Sequence, residues 1–274
     1  MTDYLPLPGT PVEELDTPCI VVDLDAAESN IAKLQAAANE MGVDVRPHSK
    51  TNKSPYWVRK QLAAGAIGVC CARVGEAEVM VEAGVPEVMI PNQVIGKRKI
   101  ARLVALARSA SIIVAVEASE NVDDLSDASS AAGAELGVIV EVNVGMDRCG
   151  VDGDGAVDLA KQIDAAPGLR FDGLMGYEGH TVAERDYETR KINAEKAMAI
   201  LTGAADQIRA EGIDVKLVSA AGTGTYNISG RVDGVTELQC GSYIFMDGDY
   251  LEVFNDFQPA LSVMATVISR QVDE

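Results

Sequence analysis

The sequence predicts an α/β fold, a (β/α)8 barrel of the TIM type followed by the start of a second, incomplete β-domain. Strand-like and helix-like segments alternate along most of the 274 residues, and eight strands take part in that alternation. Apolar residues make up 47% of the chain but aromatic residues only 4%, which suits the aliphatic core of a parallel sheet. A doubly wound open sheet also alternates, but no glycine-rich dinucleotide motif follows the first strand.

The first predicted elements lie before the barrel. Residues 1–15 are proline-rich and lack the basic start and apolar run of a signal peptide, so they are predicted to be an extension. A β-branched run at 19–23 predicts a strand. Asp25 and Glu28 then predict a capping box for an amphipathic helix that ends at Gly42.

Eight short apolar runs separated by helical patterns predict the barrel strands. They are 43–47, 67–71, 87–91, 111–117, 136–143, 171–177, 215–221 and 236–245. The strand at 19–23 is a ninth and is left outside the barrel. From Pro259 the pattern changes to a β-rich run at 260–268, which predicts the opening of a β-domain. Because the chain stops at Glu274 and a lone hairpin is not independently stable, this domain is expected to be incomplete.

Charge and cysteine usage exclude several classes of partner. The chain has 42 acidic and 23 basic residues, a net charge of -19 that repels nucleic acid and anionic membrane surfaces. No window long enough to cross a membrane is free of charged residues. The odd number and scattered spacing of the cysteines predict reduced, mostly buried thiols and therefore a cytoplasmic protein. They are Cys19, Cys70, Cys71, Cys149 and Cys240.

Lys50 is the residue around which the predicted chemistry is organised. It follows the strand at 43–47, and Ser54 with Pro55 predicts the N-cap and first turn of the next helix. A lysine at the mouth of a parallel strand is partly desolvated, which lowers the pKa of its amine and favours attack on a carbonyl. We therefore expect Lys50 to form a Schiff base with a carbonyl cofactor. By itself, the segment also fits a solvated basic turn.

Other strand ends carry residues that complement Lys50. Arg148 and His180 each follow a predicted barrel strand, and the last strand carries polar residues at 239–243. A small-residue loop at 222–225 has backbone N–H groups suited to a phosphate. Taken singly, Arg148 also fits a surface charge, His180 a capping or core histidine, and the loop at 222–225 an ordinary turn. Together they supply what pyridoxal 5'-phosphate requires: an imine partner, a phosphate anchor, a partner for the phenolic oxygen and a group against the ring face.

Five segments in combination resemble one family of enzymes. They are Thr-Pro at 17–18 with the strand that follows, Arg-Pro-His-Ser-Lys-Thr at 46–51, Met-Asp-Arg-Cys-Gly at 146–150, Gly-Thr-Gly-Thr at 222–225 and Cys-Gly-Ser-Tyr at 240–243. From about residue 16 to its end, the chain is similar to the D-threonine aldolase/D-serine dehydratase family. That family belongs to the alanine racemase-like, fold-type III pyridoxal phosphate enzymes.

The resemblance implies a homodimer whose barrel carries the cofactor, with the first strand contributing to the β-domain. It implies catalytic roles for Lys50 and His180. The implied cofactor-binding residues are Lys50, Arg148, Tyr177, His180, Gly222, Thr223, Gly224, Thr225, Gln239, Gly241, Ser242 and Tyr243. The resulting domain boundaries are 1–15 for the extension, 16–24 for the first strand, 25–250 for the barrel and 251–274 for the β-domain.

Individual roles follow from the same resemblance. Lys50 holds the Schiff base, Arg148 faces the phenolic oxygen and His180 lies near the ring. Residues 222–225 with Tyr243 line the phosphate side. Gln239 stands where alanine racemases have an arginine opposite the pyridine nitrogen. A neutral side chain there implies a nitrogen that is weakly hydrogen-bonded or unprotonated, and disfavours full delocalisation of electrons into the ring.

Two positions depart from the family pattern. Asn52 stands where members commonly carry a second histidine, two positions after the Schiff-base lysine. The family's divalent metal, a Lewis acid for the substrate's β-hydroxyl, is held by a His-x-Asp or His-x-Cys pair in the β-domain, and no histidine follows His180. The metal is therefore expected for the family, but no residue of this chain is predicted to bind it.

The first functional hypothesis is a lyase that cleaves D-3-hydroxy amino acids by a retro-aldol reaction, as D-threonine and 3-hydroxy-D-aspartate aldolases do. Within the family, the alternative is a D-serine or 3-hydroxyaspartate dehydratase. A second class is a cofactor-binding barrel without turnover. The short C-terminus fits that class, whereas the strand at 19–23, which would have no partner sheet in a single barrel, fits a truncated chain with weak or absent activity. A third hypothesis is an unrelated barrel with a phosphate-bearing substrate at 222–225.

Overall fold

Eight parallel β-strands form the centre of the molecule, and α-helices surround them. The computed structural model describes residues 5–271. In chain order the strands are β1 Cys19–Val22, β2 Asp44–Val45, β3 Val69–Cys70, β4 Glu87–Gln93, β5 Ser111–Val116, β6 Leu136–Glu141, β7 Leu169–Met175, β8 Leu217–Ala220, β9 Glu237–Leu238 and β10 Leu261–Met264. The helices are α1 Leu24–Met41, α2 Pro55–Ala64, α3 Val74–Glu82, α4 Lys97–Ala107, α5 Ser119–Ala132, α6 Gly153–Ala165, α7 Tyr187–Ala210, α8 Tyr226–Ser229 and α9 Gly248–Leu251.

The strands from β2 to β9 form a parallel sheet in the order β2-β9-β8-β7-β6-β5-β4-β3. Hydrogen bonds between the β2 and β3 segments close this sheet into a barrel. The Ile67 N–H donates to the Val45 carbonyl at 3.0 Å, and the Cys70 N–H donates to the Pro47 carbonyl at 2.9 Å. The predicted (β/α)8 barrel is confirmed, and β1 stands outside it as expected. Because the strands are parallel, their carboxyl ends all meet at one rim.

The last predicted barrel strand changes character along its length. The prediction of one strand over 236–245 is wrong, because β9 covers only its second and third residues and a 3-10 turn covers Ser242–Ile244. The consecutive side chains at 243–246 are all buried, so this segment packs into protein on every side instead of alternating between two faces. Its backbone bends accordingly, and the Met246 N–H donates to the Ser242 carbonyl at 2.7 Å.

The start of α1 also differs from the sequence pattern. The predicted capping box is wrong, because the N-cap is Asp23, whose carboxylate accepts the Ala26 N–H at 3.0 Å. Asp25 lies in the first turn, where a negative charge still suits the helix dipole. Glu28 forms an ion pair with Lys60 at 2.7 Å and does not reach back to the cap. Asp25 therefore interacts favourably with the dipole of α1, and Glu28 links α1 to α2.

Two of the three buried apolar clusters pack helices against the rest of the fold. The larger lies between the barrel strands and the surrounding helices and consists mainly of Val, Ile, Leu and Ala. The smaller packs α1 and α2 against the segment that follows β9. It contains most of the buried aromatic side chains, among them Trp57 and Phe245, whose ring centroids lie 5.5 Å apart. The predicted aliphatic core is therefore confirmed for the barrel itself.

The interior of the barrel has an apolar and a polar part. The apolar part consists of Cys70, Met89, Ile113, Ala115, Ile139 and Met175. The polar part contains Arg46, Ser219 and Glu237, each at most 1% exposed. Side chains of this kind are buried only when they have partners, so their hydrogen bonds decide how the polar part is arranged.

A two-stranded antiparallel sheet accompanies the barrel. β1 pairs with β10, and Cys19 lies opposite Met264. The predictions of a first strand outside the barrel and of β-structure late in the chain are therefore confirmed. Apolar side chains on this sheet remain open to solvent, with Ile20 69% and Val263 65% exposed.

Some predictions concern the chain as a whole. The division into extension, first strand, barrel and β-domain stays a prediction, and residues 1–4 and 272–274 of its outer parts lie outside the described residues. Along residues 5–271, no helix is both long enough and apolar enough to cross a membrane. All five cysteines are free, and only Cys19 and Cys149 are partly exposed, which confirms mostly buried thiols.

Candidate active site

A cavity opens at the carboxyl ends of the barrel strands and gathers most of the predicted site residues. Eight of the twelve predicted cofactor-binding residues line it: Lys50, Arg148, Tyr177, Gly222, Thr223, Gln239, Gly241 and Ser242. Five further lining residues are not among those predicted: His48, Pro91, Met175, Ala221 and Tyr250. Residues distant in sequence converge here because parallel strands end at one rim.

Lys50 lies in the loop between β2 and α2. Its amine nitrogen is 5.8 Å from the centroid of the Tyr177 ring, and the guanidinium carbon of Arg148 is 5.6 Å from the same centroid. Partial burial of the amine, and after it the positive charge of Arg148, lower the pKa of Lys50 below its ordinary value. A larger fraction of the amine is therefore neutral and nucleophilic than for a lysine in water.

His48 is a cavity residue that the sequence reasoning did not assign. It is 9% exposed, and its Nδ1 accepts the Lys50 N–H at 3.3 Å. Burial, and then the charge of Lys50, lower the pKa of His48 to about 3, so the imidazole is neutral with its proton on Nε2. Its spacing of two residues from Lys50 at a strand end was the available signal, since such residues share a side of the strand.

Acidification is expected to destabilise the protein through His48. In the unfolded chain the imidazole takes up a proton near pH 6.5, whereas in the folded protein it stays neutral down to about pH 3. The contribution of His48 to the free energy of unfolding is therefore fully present above pH 6.5. It decreases by about 2 kcal/mol as the pH falls from 7.5 to 5. His48→Asn, which keeps an acceptor for the Lys50 N–H, should flatten this decline in urea unfolding measured across that range.

His180→Asn is the matched control for this measurement. The chain has only two histidines, and His180 is exposed, so the control keeps the buried imidazole. The His180→Asn variant should therefore retain the loss of stability with falling pH. An equal slope in the wild type and in His48→Asn would contradict the expectation.

Two glycine-containing loops form one wall of the cavity. Gly222 and Thr223 follow β8, Gly241 and Ser242 follow β9, and the Tyr243 N–H joins the loops by donating to the Thr223 hydroxyl at 3.0 Å. Among residues 5–271, no acceptor is found for the backbone N–H groups of Thr223, Gly241 and Ser242. Free N–H groups that line a concave surface attract anions, above all phosphate. We call these two loops the N–H cradle.

A side chain at either glycine of the N–H cradle would collide with neighbouring residues. A Cβ at Gly222 would lie 3.0 Å from the Tyr177 ring, and a Cβ at Gly241 would lie 3.1 Å from both the His48 carbonyl oxygen and the Thr51 hydroxyl. Both distances are shorter than ordinary van der Waals contacts. Glycine is therefore required for the close approach of these backbones to their neighbours.

Glu178 holds the first cradle loop from beneath. Its side chain is fully buried and accepts hydrogen bonds from the Thr225 hydroxyl at 2.7 Å, from the Ala221 N–H at 3.3 Å and from the Ser229 hydroxyl. Three donors from one loop and its helix thus share one carboxylate. The sequence reasoning did not assign Glu178, because its partners lie more than 40 residues away.

Four predicted site residues do not line the cavity. Thr225 directs its hydroxyl to Glu178, and a Cβ at Gly224 would lie 2.3 Å from the Val182 carbonyl oxygen, so both support the wall from behind. Tyr243 is buried, and its hydroxyl accepts the Gln61 amide at 2.8 Å. His180 is the exposed member of the set. Their cofactor-binding roles, and the catalytic role of His180, stay predictions.

Arg148 reaches the cavity from the loop after β6. Its side chain is half exposed, and one guanidinium nitrogen lies 3.8 Å from a carboxylate oxygen of Glu141. Glu141 accepts the Gln93 amide at 2.6 Å, and burial raises the pKa of its carboxyl group. Arg148 therefore has only a loose protein partner and keeps donors for an anionic oxygen of a ligand.

One group of metal-ligand atoms lies near Arg148. The ligand atoms of Glu117, Glu141 and Cys149 lie within 4.8 Å of one another. Both carboxylates already accept hydrogen bonds from protein donors, so we assign no metal to this group. The divalent metal expected for the family stays a prediction.

Comparison with known proteins identifies the family of this chain. The sequence model of the alanine racemase N-terminal domain matches residues 22–249, which include the whole barrel and every residue of the cavity except Tyr250. The chain belongs to this family. A curated D-threonine aldolase from Arthrobacter sp is 41% identical over 268 residues, 96% of this chain and 71% of that one.

Other members of the family widen the comparison. A 3-hydroxy-D-aspartate aldolase from Paracoccus denitrificans is 37% identical, over 97% of this chain and 72% of its own length. A D-threo-3-hydroxyaspartate dehydratase from a Delftia species is 31% identical, over 95% of this chain and 70% of its own length. The crystal structure of D-threonine aldolase from Filomicrobium marinum superposes with a TM-score of 0.93 at 42% identity, covering 94% of this chain and 72% of that one. The family predicted from the motifs is therefore confirmed, and its characterised members include both aldolases and a dehydratase.

Proposed function

We propose that this chain is a pyridoxal phosphate-dependent lyase that cleaves D-3-hydroxy amino acids by a retro-aldol reaction. The observation that carries the proposal is the single cavity shared by an amine of lowered pKa, Lys50, and the N–H cradle. The D-threonine aldolase and 3-hydroxy-D-aspartate aldolase relatives support the substrate class.

The donors in the cavity suit the cofactor's three reactive groups. Lys50 provides the amine for the aldehyde, the N–H cradle provides donors for the phosphate, and Arg148 provides a guanidinium for the phenolic oxygen. When bound, pyridoxal phosphate supplies an electron sink for the electron pair released as a bond to the substrate's α-carbon breaks. Glu178 contributes by keeping the first cradle loop in place.

The first experiment tests cofactor attachment. The purified chain is mixed with pyridoxal phosphate, reduced with borohydride and mapped by peptide mass spectrometry. We expect the reduced adduct on Lys50. An adduct on another lysine, or none, would contradict the proposed site.

The second experiment distinguishes the reaction types. An aldolase converts D-threonine into glycine and acetaldehyde, and L-threonine is the control of opposite configuration. A dehydratase, which the Delftia relative makes the second candidate, converts D-threonine into 2-oxobutanoate and ammonia. Assays with and without added Mn²⁺ test the expected metal requirement. A Lys50 adduct with neither set of products would overturn the lyase proposal and support a cofactor-binding barrel.

We also propose that the chain functions as a cytoplasmic homodimer. Five free cysteines fit a reducing compartment, and the exposed apolar residues Ile20 and Val263 on the β1–β10 sheet favour association. Light scattering of the cofactor-loaded protein should give the mass of a dimer. A monomer mass at high concentration would contradict it.

A further inference from the structure

A continuous series of side-chain hydrogen bonds passes through the polar part of the barrel interior. Arg46 contacts Glu87 at 2.6 Å and Glu237 at 3.0 Å. The Ser219 hydroxyl donates to Glu237 at 2.6 Å, and the side-chain amide nitrogen of Gln239 donates to the Ser219 oxygen at 2.7 Å. The series begins at Glu87, which is partly exposed, and ends at Gln239 in the wall of the cavity.

The charge on Arg46 sets the direction of these hydrogen bonds. Burial opposes the charged guanidinium, but the attraction and hydrogen bonding of Glu237 together with the nearby Glu87 charge outweigh it, so the pKa of Arg46 is raised and the side chain is a cation. Glu237 accepts from this guanidinium on both oxygens, so it is a carboxylate and only accepts hydrogen bonds. The single hydroxyl proton of Ser219 must therefore point to Glu237.

The amide of Gln239 is oriented as a result. Because the Ser219 proton is committed to Glu237, the Ser219 oxygen can only accept, and the group that meets it must be the NH2 end of the amide. The same nitrogen also contacts the sulfur of Met89 at 3.8 Å. In the part of the chain that the structure describes, no protein donor reaches the amide oxygen of Gln239. The side chain thus offers the cavity a hydrogen-bond acceptor.

The cofactor has one complementary donor, and this step rests on the proposed function. Its phosphate and phenolic oxygens are acceptors, which suit the N–H cradle and Arg148. Apart from the nitrogen bound to Lys50, only the ring nitrogen can donate, and it does so only when protonated. We propose that Gln239 accepts a hydrogen bond from the ring nitrogen of bound pyridoxal phosphate and keeps that nitrogen protonated.

Ser219, Glu237 and Arg46 are positioning residues in this arrangement. None of them lines the cavity, and each acts only through the orientation of the Gln239 amide. The neutral side chain of Gln239, considered alone, implied a weakly bonded or unprotonated nitrogen. The direction of the hydrogen bonds leads to the opposite inference, because an amide oxygen cannot bond to an unprotonated nitrogen. A protonated ring draws more electron density from the substrate's α-carbon.

The test is the ¹⁵N chemical shift of the ring nitrogen in protein loaded with ring-labelled pyridoxal phosphate. In the wild type we expect the shift of a protonated pyridine. Gln239→Leu, which has similar volume and no acceptor, should move the signal to the position of an unprotonated pyridine. Gln239→Glu, which keeps an acceptor of the same length, should leave it at the protonated position. Ser219→Ala, which frees the amide to rotate, should move it part of the way.

The outcomes separate this inference from the proposed function. Borohydride reduction and peptide mapping of every sample report attachment to Lys50 independently of the nitrogen shift. A Lys50 adduct with an unprotonated nitrogen in the wild type would overturn the inference and leave the proposed function intact. A protonated nitrogen in both the wild type and Gln239→Leu would overturn the role of Gln239. Absence of the adduct from the wild type would overturn the proposed function and this inference together.

Discussion

Replacement of Lys50 by alanine is expected to lower kcat/KM for D-threonine cleavage by more than about 10³-fold, equivalent to about 4 kcal/mol of transition-state stabilisation. The methyl side chain cannot bond to the cofactor's aldehyde, and Lys50 is the sole lysine that lines the cavity among the described residues. The absorbance of covalently bound pyridoxal phosphate should disappear with the activity. Steady-state kinetics and an absorbance spectrum of the same preparation check both expectations.

Lys60→Ala is a matched control for this variant. Lys60 lies on α2, ten residues after Lys50, and forms an ion pair with Glu28 outside the cavity. Its replacement should change kcat/KM less than about twofold and leave stability nearly unchanged, as is usual for an exposed pair. Retention of the bound-cofactor absorbance in Lys50→Ala would show that another residue takes up the aldehyde.

Replacement of Arg46 by methionine is expected to lower the free energy of unfolding by about 3–5 kcal/mol, because it leaves the carboxylate of Glu237 buried without its cation. Arg46 and Glu237 are 1% and 0% exposed, so water does not replace the lost partner. The surrounding backbone is shaped for the guanidinium: a Cβ at Gly68 would lie 2.5 Å from one of its nitrogens. Urea unfolding at pH 7 measures the effect.

The double variant Arg46→Met with Glu237→Leu is the control for this prediction. It removes more hydrogen bonds than the single variant but leaves no buried charge in the pair, so it should be more stable than Arg46→Met alone. The double-mutant cycle gives the coupling energy of the two side chains. A double variant that is less stable than Arg46→Met would mean that the lost hydrogen bonds outweigh the buried charge.

The location of the site was predictable because it depends on the ends of strands. Lys50, Arg148 and the 222–225 loop each follow an apolar run, and eight such runs predict a closed parallel barrel whose strands end at one rim. Local patterns were less informative where packing competes with them. The run at 236–245 reads as a single strand, yet burial of both its faces bends it into a 3-10 turn.

Helix α1 shows the same limit on a smaller scale. Asp25 and Glu28 have the spacing of a capping box, but Asp23 forms the cap, because hydrogen bonding continues from β10 into the start of the helix. The Asp23 N–H donates to the Ala260 carbonyl at 2.8 Å, and this contact holds Asp23 at the helix entry. Spacing along the sequence carries no information about that distant partner.

The sequence by itself determined the number and direction of the barrel strands, the aliphatic core and the rim at which Lys50, Arg148 and Gly222 meet. Those features follow from hydrophobic period and from residues that are neighbours in the chain. The tertiary structure alone decided the neutral state of His48, the support of the first cradle loop by Glu178 and the direction in which the Gln239 amide points. Burial and hydrogen-bond direction depend on partners from other strands, which only the closed barrel brings within reach.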